Sequence, residues 1–208
     1  ALIPLIYFVY KNKLSNIDNE NSILMKKWLI KILLNGIFGG QADTMLYISK
    51  NSIDKSKEKV FPFYEINNSI DATKKSFDSI DGILNKEKLK YNSSDSFLIL
   101  SLLYTDINFN TSYNGNLPQQ DHIYSQSWLR ENKVKEQLIN SIFNIQFLDA
   151  YSNQSKSGTN IIDWLNQITP EDKQKHFIPE GEWNLNNFEE FLVKRKNLFK
   201  ERLEPLYN

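Results

Sequence analysis

The chain has no cysteine, only two histidines and only two methionines among its 208 residues. Without thiols it forms no disulfides and none of the thiolate zinc knuckles that staple some small nuclease modules. That composition suits the cytoplasm, which is the expected location. Neither sign of charge is in surplus, since Lys+Arg and Asp+Glu each number 25. The balance speaks against a globally basic nucleic-acid binder but leaves room for a local basic groove. Long apolar runs are also missing. The opening "ALIPLIYFVY" is ten residues, too short to cross a bilayer, and no basic segment precedes it as in a signal peptide. No membrane partner is expected, and the stretch reads as a buried first helix. A start at Ala1 with no leader reads as a piece of a longer protein.

What is present points to a folded core. Hydrophobic residues make up 40% and aromatics 13%, which a disordered chain does not carry. Ile23, Leu24, Trp28, Ile32 and Leu33 recur at helical steps, with Lys26, Lys27 and Lys31 on the other side. The glycines of "NGIFGG" end that helix. A phosphate-loop reading of "GIFGG" fails, because no Gly-Lys-Ser/Thr follows to reach a phosphate and its magnesium. "QADTMLYISKNSI" starts another helix. Residues 51 to 92, with the clusters "VFPFYEI" and "IDGIL", read as short surface helices and loops.

"SSDSFLILSLLY" reads as a buried helix capped by Ser93 or Ser94, and "TDINFNTSYNGNLPQQ" as a loop. "QQDHIYSQSWL" reads as a short strand leading into a turn. "NSIFNIQFL" looks like a second, buried strand with Asn144 on it, and "DAYSNQSKSG" like one helical turn or two. "NIIDWLNQ" is a short helix stopped by Pro170. In the long last helix Phe188, Phe191, Leu192, Arg195, Phe199 and Leu203 carry the period. The expected fold class is mainly α, with a small strand pair around residues 119 to 148.

The chemistry concentrates near that pair. Asp121 and His122 are followed by Asn144, Asn153 and Lys156. A strand–strand–helix unit would bring Asp121 and Asn153 side by side, with His122 pointing across the same cleft. Oxygen ligands suit a hard cation such as Mg²⁺ (or Mn²⁺), which holds a scissile phosphate and offsets charge on the leaving oxygen. An imidazole with a pKa near neutrality can take the proton from water. The backbone carbonyl of Asn144, or its side chain, would fix the imidazole tautomer.

"DHIYSQSWL" followed by "NSIFNIQFLDAYSNQSKS" resembles the HNH, or ββα-metal, endonuclease motif. The nine-residue step from Asn144 to Asn153 and the Lys156-Ser157 ending are part of the likeness. More broadly the chain resembles the C-terminal half of the GmrSD-type restriction endonuclease family, which defends bacteria against phage. The matching segments are "ALIPLIYFVY", "KKWLIKILLNGIFGGQADTML", "FLILSLLY", the nuclease motif and "FEEFLVKRKNLFKERL". The resemblance implies a helical domain over 1–110, a ββα nuclease motif over 111–166 and a helical segment over 167–208. It makes Asp121 and Asn153 the metal ligands, His122 the general base, Asn144 its orienting residue and Lys156 a phosphate neighbour. DNA is the implied substrate, and the implied partner is an N-terminal nucleotide-hydrolysing domain that this chain lacks.

One position departs from the motif, with Ser125 where the family usually has proline, which would stiffen the turn. That departure and the neutral charge leave a rival reading, a non-catalytic helical module that binds DNA or a partner domain. Of the remaining candidates, His176 reads as a surface histidine after a helix. Trp28, Trp128, Trp164 and Trp183 mostly read as core. The lysines at 55, 57, 59, 86, 88 and 90 read as a solvated face, or as one wall of a DNA channel.

Overall fold

A computed structural model describes residues 1–73, 75–105, 107, 118–148 and 161–208. They are mostly helical, and their one sheet has two antiparallel strands. By packing, residues 1–83 with 204–208 form one compact unit and residues 84–203 a second. Among the described residues no helix is long and apolar enough to cross a membrane.

The first unit contains α1 (Leu2–Lys11), α2 (Asn19–Asn35), α3 (Ala42–Lys55) and α4 (Phe63–Asp71). Asp18 caps α2, its carboxylate accepting the Asn21 N–H at 2.8 Å. Gly36 ends the helix at φ 60°, a left-handed turn that glycine adopts without a Cβ penalty. In the following "GIFGG" turn the Lys75 ammonium donates to the carbonyls of Ile37 and Gly39. These carbonyls hold a cation, the reverse of what a phosphate cradle offers.

The stripe that α2 buries differs from the expected one. Asn21, Met25, Trp28 and Ile32 face the core, whereas Ile23 and Leu33 are 47% and 40% exposed. A polar residue heads the stripe because of what it binds. Asn21 Oδ1 accepts the Phe61 N–H at 2.7 Å, and Nδ2 donates to the Lys59 carbonyl at 3.0 Å. This clasp draws "VFPFYEI" inward, so the expected surface segment is in fact core. Phe61, Phe63, Ile66 and Ile70 are all buried, and the Phe61 ring meets Phe8 and Trp28 edge-on, with centroids 5.3 and 5.7 Å apart. The first helix is buried on one side only. Pro4, Leu5 and Phe8 face inward, but Leu2, Ile3, Ile6 and Tyr10 are exposed.

After α5 (Ile80–Leu84), the second unit has α6 (Ser94–Leu103), β1 (Gln119–His122), α7 (Gln126–Glu131) and α8 (Glu136–Ile139). A 3₁₀ turn (Ile142–Asn144) leads into β2 (Ile145–Leu148), followed by α9 (Ile161–Gln167), α10 (Pro170–Lys175) and α11 (Phe188–Tyr207), whose residues from 204 on belong to the first unit. Ser93 caps α6 through the Ser96 N–H. Thr169 caps α10 the same way, with Pro170 at the first helical position. Phe188, Phe191, Leu192, Arg195, Phe199 and Leu203 are all buried, as their period predicts. Trp28, Trp164 and Trp183 are buried as read, and the half-buried Trp128 stacks on Tyr124.

Candidate functional site

β1 pairs with β2 in the register Gln119↔Leu148, Gln120↔Phe147, Asp121↔Gln146 and His122↔Ile145. Successive strand residues point to opposite faces, so Asp121 and His122 look out on different surroundings. The contacts of each residue bear this out.

Asp121 is half-buried and accepts a hydrogen bond from Gln146 Nε2, its cross-strand partner, at 3.0 Å. Gln146 is fully buried, and its own Oε1 has no hydrogen-bond partner among the described residues. The negative charge of Asp121 is also felt by the buried Tyr104 phenol. Burial pushes that phenol up to about 12, against the nearby Arg195 guanidinium and the Phe147 N–H. Tyr104 Oη lies 3.4 Å from His176 Nδ1. His176 follows α10 as expected but is buried rather than at the surface. Its carbonyl binds Arg195 at 3.1 Å, and its ring lies edge-on to Trp164, which covers it.

His122 is 9% exposed. The Tyr91 ring lies over its imidazole, with centroids 4.4 Å apart and planes inclined by 50°. Its Nε2 is 3.0 Å from Gln126 Nε2 and 3.2 Å from Asn140 Oδ1. Asn140 Nδ2 donates to Glu136 at 2.9 Å, and Glu136 is gripped by both arms of Arg130. The Arg130 guanidinium holds the Glu136 carboxyl below its usual range, helped by Asn140 and by His122. Two local elements build this pocket. Helix α7 starts at Gln126, four residues after His122, and α8 delivers Asn140 as its C-cap.

Asn144 was expected on the second strand, but it is the last residue of the 3₁₀ turn before β2. Its Oδ1 accepts the Tyr124 N–H at 2.9 Å, and its Nδ2 donates to the carbonyls of Tyr124 and Ile139 at 3.2 and 2.9 Å. Its own carbonyl accepts the Ile123 N–H at 2.8 Å. Both ends of the amide are thus spent on backbone. Asn144 fixes the chain one and two residues past His122, and Asn140 is the amide at the ring itself. Asn153 and Lys156 lie outside the described residues.

Sequence reasoning missed Tyr91, Gln126, Asn140, Gln146 and Arg195 as neighbours of the site. Only Gln126 had a signal, its spacing of four from His122 in "DHIYSQ". Tyr91 arrives from a segment 31 positions upstream, whose backbone bridges residues 140 to 142.

Among the described residues no three His, Asp or Glu side chains gather as a metal site. Asp121 is met by the nitrogen end of the Gln146 amide, and its carboxylate oxygens are donors of the kind a hard cation prefers. An open cleft of about 1540 Å³ in the same unit is lined by residues including Phe177, Trp183, Lys173, Lys194 and Arg202. It takes in neither Asp121 nor His122. Its three cations are matched by Glu180, Glu182 and Glu201, so it lacks the single-signed field that a phosphate backbone selects. Compared with known proteins, the chain matches no family model and no curated sequence.

Proposed function

We propose that residues 111–166 carry an HNH-like, metal-dependent nuclease site that hydrolyses a DNA phosphodiester. The observation that supports it is the order of the parts. An antiparallel strand pair bears Asp121 and His122 on its first strand, and Asn144 stands in the turn that enters the second. In this reading Asp121 and Asn153 hold Mg²⁺ or Mn²⁺, and Lys156 lies near the phosphate. When bound, the cation offsets charge on the leaving oxygen. The carboxylate of Asp121 is a donor of the kind such an ion prefers.

His122 takes the proton from the attacking water. Because Asp121 and His122 face opposite sides of β1, a phosphate touched by both lies off the strand edge rather than over one face. Asn144 keeps that edge in shape by holding residues 123 and 124. DNA as substrate, a role in phage defence and a nucleotide-hydrolysing N-terminal partner belong to the same proposal.

Plasmid nicking in Mg²⁺ or Mn²⁺ tests it. His122→Ala should reduce nicking by roughly 10²- to 10⁴-fold, the usual range for a lost acid–base group. Equal nicking by mutant and parent would end the reading. One observation favours the rival, a non-catalytic binding module. A histidine 9% exposed and enclosed by Tyr91, Gln126 and Asn140 is also how a structural imidazole is held. Under that reading the parent shows no metal-dependent nicking and His122→Ala lowers stability instead.

A further inference from the structure

We infer that Asn140, seconded by Gln126 and anchored by Glu136, is the positioning residue that sets the ring of His122. The inference starts from which way the Asn140 amide must point. Its Nδ2 donates to the Glu136 carboxylate at 2.9 Å, and a carboxylate accepts only. Glu136 is in turn held bidentately by Arg130, at 2.6 and 3.1 Å. The oxygen of Asn140 is therefore the atom turned toward the imidazole. Gln126 must then offer its nitrogen to that oxygen, which it does at 3.0 Å. The same nitrogen lies 3.0 Å from His122 Nε2.

His122 Nε2 thus sits between one donor, the Gln126 amide N–H, and one acceptor, Asn140 Oδ1. A lone pair on Nε2 is met by Gln126 and a proton on Nε2 by Asn140, so the ring keeps one orientation in either state. Tyr91 covers one face of the ring. The Tyr91 backbone is tied to the same residue, its N–H donating to the Asn140 carbonyl at 2.8 Å. Asn140 thus holds the imidazole through its side chain and the covering aromatic through its main chain. Its sequence gives no hint of this, since it is one asparagine among many at the end of a four-residue helix.

The catalytic consequence rests on the nuclease reading, whereas the placement of the ring does not. The test therefore has two arms on the intact chain. The first is NMR of the imidazoles at one fixed pH in protein with ¹⁵N- and ¹³C-labelled histidine. With two histidines the spectrum is simple, and His176 serves as an internal control. His122 should show a ring-current shift from Tyr91, removed by Tyr91→Leu. Asn140→Ala should move the His122 ring signals toward free histidine and even out its two tautomers, leaving His176 unchanged. Asn140→Asp keeps the acceptor but loses the N–H that Glu136 anchors and sets two carboxylates together, so it should not restore the parent pattern.

The second arm is nicking kinetics, where Asn140→Ala should lower kcat about tenfold with KM unchanged, the lower end of what losing an orienting hydrogen-bond partner costs. Unaltered His122 signals in folded Asn140→Ala would overturn the inference. If Asn140→Ala does not fold, Gln126→Leu, which removes the donor alone, must shift the His122 signals or the inference fails. A parent that does not nick but whose His122 responds as described sinks the nuclease reading and leaves the positioning intact.

Discussion

The two units bury polar groups in different ways. In the first, the buried polar residues among those described are Asn21, Ser49, Ser52 and Asn67, joined by the phenol of Tyr207, which donates to the Asp78 carbonyl. Each bond seen there serves local architecture, as when Asn21 holds residues 59 to 61 or Ser49 returns to the Met45 carbonyl. In the second unit two imidazoles and a guanidinium are buried, together with the phenols of Tyr104 and Tyr124. Ionisable groups are expensive to remove from water, and an apolar substitute often serves stability as well. Their concentration beside the strand pair, where the sequence also puts its Asp-His, is what sets the second unit apart from the first.

Arg195 is the sharpest instance. It is fully buried, and its guanidinium donates to the carbonyls of Phe143 at 2.8 Å, Ile145 at 2.7 Å and His176 at 3.1 Å. Burial depresses it to about 10, still far above neutrality, so it remains a cation. The carbonyls it holds flank Asn144, so α11 is riveted to the turn that shapes the strand exit.

That contrast can be broken experimentally, and removing Arg195 should hurt most. Arg195→Leu strands several buried carbonyls at once and should cost about 3–5 kcal/mol, read from the urea midpoint by tryptophan fluorescence. Arg195→Lys should recover little, because an ammonium lacks the planar fork. A loss below about 1 kcal/mol would show that the carbonyls find water instead.

The next test sets one clasp against the other. Asn21→Ala and Asn144→Ala each leave buried backbone groups unpaired and should each cost about 2 kcal/mol. Asn144→Ala alone should also reduce nicking, measured where both variants are fully folded. Equal activity in the two would place the Asn144 clasp outside the site.

The smallest effect is expected at Ser125. Its φ of −51° lies within the range of proline, and its N–H makes no hydrogen bond among the described residues. Ser125→Pro should therefore raise stability by about 0.4–1 kcal/mol through the unfolded chain. Destabilisation would mean that Tyr124 cannot take the extended backbone that a following proline demands.

Much of the fold was legible because it depends on neighbours in sequence. The Ser93 cap, the Gly36 stop, the two short strands and the buried stripe of α11 follow from spacing and local hydrogen bonding. The inward face of α2, the burial of "VFPFYEI" and that of His176 were not legible, since each depends on a partner far along the chain. At the site, the sequence singled out His122 and Asn144 but could not distribute the amides between them.

By itself, then, the order of residues determined that the fold is mainly helical with a small strand pair, and that an Asp-His pair stands on the first strand. Only the tertiary structure decided that Asn144 serves the backbone, that Asn140 and Gln126 serve the imidazole, and that Arg195 is spent on carbonyl oxygens. The physical reason is that every asparagine carries the same donors and acceptor. Which groups they meet is settled by segments that converge from tens of residues away, and sequence spacing carries no record of that convergence.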